Sequence, residues 1–275
     1  MPEAQAPIHS WALTGPLGEL TAASRLRARE AESTRASLES QLPAAPRPAS
    51  FADALRGSHV RVIAELKRRS PSKGVINDAI RAEVRAQEYE SGGAAALSVL
   101  TEPSRFGGSL DDLRAVRAAV GIPLLRKDFI TAPIQLLEAR VAGASAVLLI
   151  ARALDRAEVL ELAAAASQFG LEQLIEVRSE AELATALDVP RAVIGVNNRN
   201  LESLLIDDAI GARLLPMIPR DRVAVYESGI ATTEDVRRAA AMGADAVLVG
   251  SVLSVAPDPV RAVRDLTTVG RRGRP

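Results

Sequence analysis

The chain contains no cysteine and only two histidines, His9 and His59, among its 275 residues. Without cysteine it can form no disulfide, no thiolate metal site and no cysteine nucleophile, although this does not fix the redox compartment. His9 falls in a predicted tail and His59 just before the first predicted strand, so the two are not clustered. These absences disfavour histidine-based metal chemistry and a Ser-His relay.

The chain also lacks net charge and long hydrophobic runs. Lys plus Arg and Asp plus Glu each number 34, so no overall field attracts nucleic acid or an anionic membrane, and any anion must be bound locally. No apolar run approaches the length of a membrane span, and residues 1–20 lack the pattern of a secretory signal. We therefore expect a cytoplasmic protein that binds neither nucleic acid nor membranes.

Hydrophobic residues make up 48% of the chain, which allows a large core in either one α/β barrel or two smaller domains. We expect an N-terminal tail and helical extension over residues 1–50, a barrel over residues 51–268, and a basic tail over residues 269–275 with no fused second enzyme. The extension is predicted to be helical over residues 17–42, before a proline-rich stretch. We expect its Arg-rich face to be solvated, and the pattern leaves open whether it packs on the barrel.

Eight short aliphatic segments recur after the extension, separated by helical stretches such as 110–120, 134–142, 156–169, 180–187 and 234–242. The segments span residues 60–67, 95–101, 123–128, 146–151, 173–177, 192–197, 223–228 and 246–250. Nearly all-apolar strands separated by helices must be parallel and covered on both faces. Eight of them predict a single (β/α)8 TIM barrel with an extra N-terminal helical segment.

Polar side chains follow these strands at one end. In the first strand Ile63, Glu65 and Lys67 share one face by alternation, so an acid and a base point the same way. A lone pair of this kind would be an ordinary surface ion pair, but five other strands end in similar groups. These groups are Lys127-Asp128, Glu176, Asn197-Asn198-Arg199, Glu227-Ser228-Gly229 and Gly250-Ser251. Because active sites in this fold lie at the carboxyl ends of the strands, we expect one here.

The dipeptides Ser228-Gly229 and Gly250-Ser251 together predict a phosphate site. Loops after the last two strands of such barrels frequently bind phosphate through backbone N–H groups. These small residues permit close approach and add hydroxyl donors, although either dipeptide alone would be an ordinary tight turn. The loop at 70–74 begins with Ser70 and is expected to reach an anion or to act as a lid.

Lys127 is a candidate proton donor. Alternation turns it inward with Leu125 and turns Glu176 inward as its possible partner. Asn197 is suited to hold a hydroxyl group, and Arg199 a carboxylate or phosphate.

Other polar residues near the strand ends are assigned no role in the site. We expect Arg68, Arg69 and Arg126 to point away from the mouth, whereas the direction of Asp128 stays undecided.

In the loop at 101–109, Phe106 offers an apolar contact, suited to an aromatic ligand or to simple loop packing.

Five segments resemble the indole-3-glycerol phosphate synthase family, over about residues 51–255. They are IAELKRRSPSKG (63–74), LSVLT (97–101), LRKDFI (125–130), GVNNRNL (195–201) and ESGI (227–230). The resemblance implies ring closure of 1-(2-carboxyphenylamino)-1-deoxyribulose 5-phosphate to indole-3-glycerol phosphate, with release of carbon dioxide and water, in tryptophan biosynthesis. It implies a carboxy-lyase acting on a small phosphorylated substrate without metal or organic cofactor, and we expect a monomer.

The same resemblance implies roles for individual residues. Lys127 protonates the substrate ketone as the aromatic ring attacks it, with Glu176 as partner carboxylate. Glu65 and Lys67 serve decarboxylation and dehydration, and Asn197 orients the substrate hydroxyl. Which lysine donates which proton stays open. The implied substrate-binding residues are Ser70, Phe106, Arg199, Glu227, Ser228, Gly229, Gly250 and Ser251.

Two residues depart from the family pattern. Tyr226 stands where a small residue is usual, and alternation turns it toward the helices, which implies altered packing rather than lost chemistry. Arg105 stands where an aromatic residue is more usual in the ring-binding loop. Two alternatives stay open: a phosphoribosyl isomerase, which generally uses an Asp pair or a Cys-Asp pair, and a non-catalytic barrel, which would be expected to lose its rim charges first.

Overall fold

A computed structural model describes residues 13–45 and 47–274. Most of the predicted N-terminal tail, including His9, lies outside these residues. No helix in the described part of the chain is long and apolar enough to cross a membrane.

Eight parallel strands close into a barrel, each pairing with its neighbours in the sequence and the last pairing with the first. The strands are β1 (Arg61–Leu66), β2 (Ala96–Leu100), β3 (Leu124–Lys127), β4 (Ala146–Ile150), β5 (Glu172–Val177), β6 (Val193–Asn197), β7 (Ala224–Glu227) and β8 (Ala246–Val249). All eight predicted segments agree with these bounds to within one residue at either end. The (β/α)8 TIM barrel is therefore confirmed.

Helices surround the barrel and precede it. They are α1 (Gly15–Ala31), α2 (Arg35–Gln41), α3 (Phe51–Ala54), α4 (Ala82–Ser91), α5 (Pro103–Phe106), α6 (Leu110–Ala119), α7 (Pro133–Val141), α8 (Arg156–Gln168), α9 (Glu180–Leu187), α10 (Ala209–Leu214), α11 (Thr233–Ala241), α12 (Ser251–Ser254) and α13 (Pro259–Leu266). Short 3-10 turns lie at Glu32–Thr34, Leu42–Ala44 and Leu215–Met217.

Alternation along the strands divides the core into two layers. Inside the barrel, Ile63, Leu125 and Leu174 belong to one buried cluster. Side chains of opposite parity, such as Val62 and Ala64, belong to a second cluster between the strands and the helices. This division fixes which strand residues point into the barrel and hence which can reach its mouth.

The N-terminal extension packs on the barrel, which resolves the question that the sequence left open. The predicted single helix over 17–42 is divided, because the turn at Glu32–Thr34 separates α1 from α2. The Ser24 hydroxyl donates to the Phe129 carbonyl and accepts from Gln135 Nε2 at 2.8 Å. The expectation of a fully solvated Arg-rich face is wrong for Arg27, whose Nη2 lies 2.7 Å from the buried Asp128 carboxylate.

The segment after α13 packs at the opposite end of the barrel, where strands begin. Arg274 is buried, and its Nη1 donates to the Gly243 carbonyl at 2.8 Å and to Asp245 Oδ2 at 2.7 Å. Its Nη2 donates to the carbonyls of Pro219 and Arg222. This guanidinium therefore ties the ends of the loops that lead into β7 and β8.

Candidate active site

One cavity opens at the carboxyl ends of the strands. The space in it measures about 850 Å³ when its open mouth is included. Side chains from β1, β3, β5, β6 and β7 line it, together with residues of the loops that follow. The predicted site residues in its lining are Glu65, Lys67, Ser70, Phe106, Lys127, Glu176, Asn197, Arg199, Glu227, Ser228 and Ser251. The remaining two, Gly229 and Gly250, directly adjoin Ser228 and Ser251.

Lys127 lies among buried carboxylates. Its Nζ is 3.3 Å from Glu227 Oε2 and 3.5 Å from Glu176 Oε2. Burial opposes a charge on Lys127, but attraction to Glu227, Glu176 and Glu65 outweighs it and raises the pKa of Lys127 above its usual range. Lys127 therefore stays an ammonium group at neutral pH and has a proton to donate.

Glu227 has the opposite preference, for the neutral form. Burial raises the pKa of Glu227 to about 7, and Lys127 opposes this rise while Glu176 and Glu65 add to it. Its Oε1 is buried and has no hydrogen-bond partner among the described residues. A carboxyl group with these properties can hold or release a proton near neutral pH.

Glu65 stays ionised between two lysines. Its carboxylate contacts Lys67 Nζ directly, and the Ser98 hydroxyl donates to its Oε2 at 3.5 Å. Burial alone would raise the pKa of Glu65, but the charges of Lys67 and Lys127 more than compensate and hold it below its usual range. The pair predicted from alternation in the first strand is thus an acid and a base in contact.

Asn197 and Ser228 form a second polar group at the mouth. Asn197 Oδ1 accepts from the Ser228 hydroxyl and from the Arg199 backbone N–H, both at 2.9 Å. These bonds orient the amide so that its NH2 group is the part available to a ligand. Ser228 has a φ of 67°, a left-handed conformation that costs about 1 to 3 kcal/mol and is concentrated at functional sites.

Small residues lie next to the hydroxyl groups that we predicted for phosphate. Gly229 has a φ of 88°, which glycine adopts without strain. A Cβ at Gly250 would lie 2.5 Å from Glu65 Oε1, so a side chain there would displace a carboxylate of the cavity. Ser70 is buried at the start of a short hairpin, Arg69–Ser70 with Gly74–Val75, and its hydroxyl accepts from the Lys73 backbone N–H at 3.2 Å.

The apolar side of the cavity includes Phe106 at the end of α5. Its ring lies 6.4 Å from that of Phe129, centroid to centroid. The neighbouring Arg105, one of the two departures, forms an exposed ion pair of 2.8 Å with Glu19 on α1. Arg105 therefore contacts the N-terminal helix, while Phe106 faces the ligand space.

Sequence reasoning missed the contribution of α1 to this apolar wall. Pro16, Leu17 and Leu20 line the cavity, and Leu17 and Leu20 are almost fully buried. The available signal was the spacing of three between two leucines in an otherwise charged helix, which marks one face. That signal was too weak to assign a packing partner.

The residues expected to point away from the mouth do so. Arg68 pairs with Asp112 on α6, Arg69 pairs with Asp78, and Arg126 Nη1 donates to the Gln135 carbonyl and contacts Glu138 on α7.

The positions of Asp128 and Tyr226 are also settled. The carboxylate of Asp128 is occupied by Arg27, Thr101 and Arg126. Tyr226 is buried among the helices, as alternation predicted, and its hydroxyl donates to Asp208 at 3.2 Å.

The charged groups at the mouth are the carboxylates of Glu65, Glu176 and Glu227 and the side chains of two lysines. Within residues 13–45 and 47–274, no group of three or more His, Asp or Glu side chains is arranged to hold a metal ion. The cations that contact these carboxylates are Lys127, next to Glu176 and Glu227, and Lys67, next to Glu65.

Comparisons with known proteins show the family of the chain. A family model described as indole-3-glycerol phosphate synthase matches residues 19–266. The indole-3-glycerol phosphate synthase of Parafrankia sp. (strain EAN1pec) is 46% identical over 245 residues, covering 89% of this chain and 91% of that protein. The protein of the same name from Kineococcus radiotolerans is 51% identical over 211 residues, 77% of each chain.

A solved structure supports the fold alone. The crystal structure of 3-hexulose-6-phosphate synthase from Salmonella typhimurium superposes with a TM-score of 0.61 and covers 76% of this chain and 97% of that one. Its sequence identity is 16%.

Proposed function

Since the chain belongs to the indole-3-glycerol phosphate synthase family, we propose that the barrel mouth is where it closes the indole ring. The reaction converts 1-(2-carboxyphenylamino)-1-deoxyribulose 5-phosphate into indole-3-glycerol phosphate, carbon dioxide and water. The chain is thus a carboxy-lyase of tryptophan biosynthesis.

The observation that carries the assignment of the site is the position of Lys127 among Glu176, Glu227 and Glu65. Ring closure requires an acid at the ketone oxygen while the aromatic carbon attacks the ketone carbon. An ammonium group held in a partly enclosed mouth supplies that proton, and Glu176 orients it from 3.5 Å. Lys127 is therefore the proposed acid of the first step, and Glu176 its partner.

The later steps need a group near the departing carboxylate and an acid for the departing hydroxyl. Glu65 and Lys67 are in contact across the cavity lining, and we assign decarboxylation and dehydration to this pair. The lysine that protonates the leaving hydroxyl is left open between Lys67 and Lys127, because both line the cavity. Asn197, whose amide is oriented by Ser228, is proposed to hold a substrate hydroxyl.

The substrate itself is proposed to lie with its phosphate and its ring at different parts of the rim. Ser228-Gly229, Gly250-Ser251 and Ser70 offer hydroxyl and backbone donors to the phosphate. Arg199 lines the cavity and adds positive charge. Phe106 and the leucines of α1 form the apolar surface that the aromatic ring needs. Monomeric state and cytoplasmic location stay predictions.

The test is direct. The purified chain, incubated with the carboxyphenylamino-deoxyribulose phosphate, is expected to develop indole fluorescence in step with carbon dioxide release. Absence of product at saturating substrate, from protein that is folded by circular dichroism, would refute the proposed function.

A further inference from the structure

Gly195 interrupts β6 at a position that faces into the barrel, between Val193 and Asn197. Inward positions of such barrels are normally filled by branched side chains, and glycine within a strand is unfavourable by about 0.5 to 1 kcal/mol relative to alanine. The backbone conformation does not require glycine here, because Gly195 is not among the residues with positive φ. The missing side chain therefore needs another explanation.

The space that a side chain would occupy at this position is taken by Glu227. A Cβ on Gly195 would lie 2.1 Å from Glu227 Oε1 and 3.2 Å from both Glu227 Cδ and Leu174 Cδ1. The contact with Oε1 is far below any normal separation, whereas the other two are merely tight. An added methyl group would thus collide first with the carboxylate.

That carboxylate is held in place by few other contacts. Glu227 Oε2 lies 3.3 Å from Lys127 Nζ, and Oε1 has no hydrogen-bond partner among the described residues. No hydrogen bond at Oε1 holds the carboxylate against an added methyl group at position 195, so the carboxylate would rotate or withdraw from Lys127. The same relation recurs at the other side of the mouth, where a Cβ at Gly250 would lie 2.5 Å from Glu65 Oε1.

We propose that Gly195 is a positioning residue for the ring-closing reaction: by lacking a side chain, it leaves the space in which the Glu227 carboxylate lies beside Lys127. This inference rests on the proposed function and adds a residue that touches neither substrate nor the lysine. It acts through Glu227, which in turn helps to set where the Lys127 ammonium points.

The test is a double-mutant cycle of Gly195→Ala and Glu227→Asp, read as kcat and KM. In the wild-type background, Gly195→Ala is expected to lower kcat by about 100-fold, the scale of a 1 Å misplacement of a catalytic group, and to raise KM by a smaller factor because Glu227 is also an implied substrate-binding residue. Glu227→Asp shortens the side chain by one methylene and draws its oxygens back toward the position of Cδ, 3.2 Å from the added methyl group, which replaces the collision by a tight contact. In that background Gly195→Ala is expected to lower kcat by less than about 3-fold.

Gly270→Ala is the matched control, because Gly270 is exposed and a Cβ there would meet nothing within 4 Å. It is expected to leave kcat, KM and the thermal midpoint unchanged. A Gly195→Ala protein with normal kcat, or an equal loss in the wild-type and Glu227→Asp backgrounds, would overturn the inference. An inactive wild-type chain would instead refute the proposed function and this inference with it.

Folding of the variants distinguishes a collision of the added methyl group with Glu227 from a collision with Leu174. If Gly195→Ala alone does not fold, the proposal requires the double variant to fold, because its shortened carboxylate removes the main contact. A double variant that also fails to fold would assign the collision to Leu174 and overturn the proposal.

Discussion

Replacing Arg27 by methionine is expected to destabilise the protein and to impair its active site at the same time. Arg27 Nη2 lies 2.7 Å from Asp128 Oδ1, and Nη1 lies 3.6 Å from Glu102 Oε1. The side chains of Asp128 and Glu102 are 1% and 0% exposed, whereas that of Arg27 is 29% exposed. A single guanidinium on α1 thus pairs with two buried carboxylates.

The expected loss of stability depends on the hydrogen bonds and ion pairs that each carboxylate keeps when Arg27 is replaced. Removing one partner of a fully buried pair costs about 3 to 5 kcal/mol. Asp128 keeps Thr101 and Arg126, and Glu102 keeps the backbone N–H groups at the start of α5. Together with the partial exposure of Arg27, this reduces the expected loss to about 2 kcal/mol. For a chain of this size that corresponds to a fall in the thermal midpoint of about 4 to 8 °C.

An effect on activity is expected because both carboxylates adjoin site residues. Asp128 follows Lys127 directly, and Glu102 accepts from the backbone N–H of Phe106 at 3.2 Å. A shift of α5 would move the aromatic contact, so KM should rise more than kcat falls. Thermal unfolding followed by circular dichroism, together with steady-state kinetics, measures both effects.

Arg29→Met is the matched control, since Arg29 is exposed on the same helix. It is expected to change the midpoint by less than about 1 °C, as surface substitutions do. If Arg27→Met and Arg29→Met gave the same midpoint and the same KM, the docking of α1 through buried charge would be refuted.

Three further substitutions test other parts of the structure. Lys127→Met is expected to lower kcat at least about 100-fold, the scale for losing a general acid, with the fold checked by circular dichroism; near-normal turnover would remove Lys127 from this role. Glu227 has a pKa raised from 4.5 to about 7 in the folded state, so its contribution to stability falls as pH rises through that window. Glu227→Gln should therefore gain stability relative to wild type as pH rises across the same window in thermal unfolding, and a constant difference would contradict the assignment. Arg274→Met, which leaves Asp245 buried with one partner fewer, should cost about 3 kcal/mol, whereas the exposed Arg272→Met should cost almost nothing in the same assay.

The barrel could be predicted from the sequence because its strands are buried on both faces. Such strands form short, uninterrupted aliphatic runs, and the helices between them have a different period, so the two are easily separated. The inward direction of Glu65, Lys127 and Glu176 followed from alternation alone. Their convergence followed from the closed barrel, because every parallel strand ends at the same rim.

The features that the sequence did not predict depend on contacts between segments that are distant in the chain. Nothing near Arg27 in the sequence indicates that Asp128 and Glu102 are its partners, and the weak apolar pattern of α1 gave no direction for docking. Gly195 looks unremarkable until Glu227 on the neighbouring strand is placed beside it. Likewise, the left-handed backbone of Ser228 is a property of the folded turn and has no signature in residue type.

Pairing of β8 with β1 makes the sheet continuous, and it joins segments from nearly opposite ends of the described chain. A fragment that stops before residue 246 would leave β1 and β7 with unpaired backbone N–H and C=O groups along one side. Exposed strand edges of this kind can pair with strands of other chains and lead to aggregation. The pairing of β8 with both of its neighbours therefore protects the protein against association through exposed strand edges.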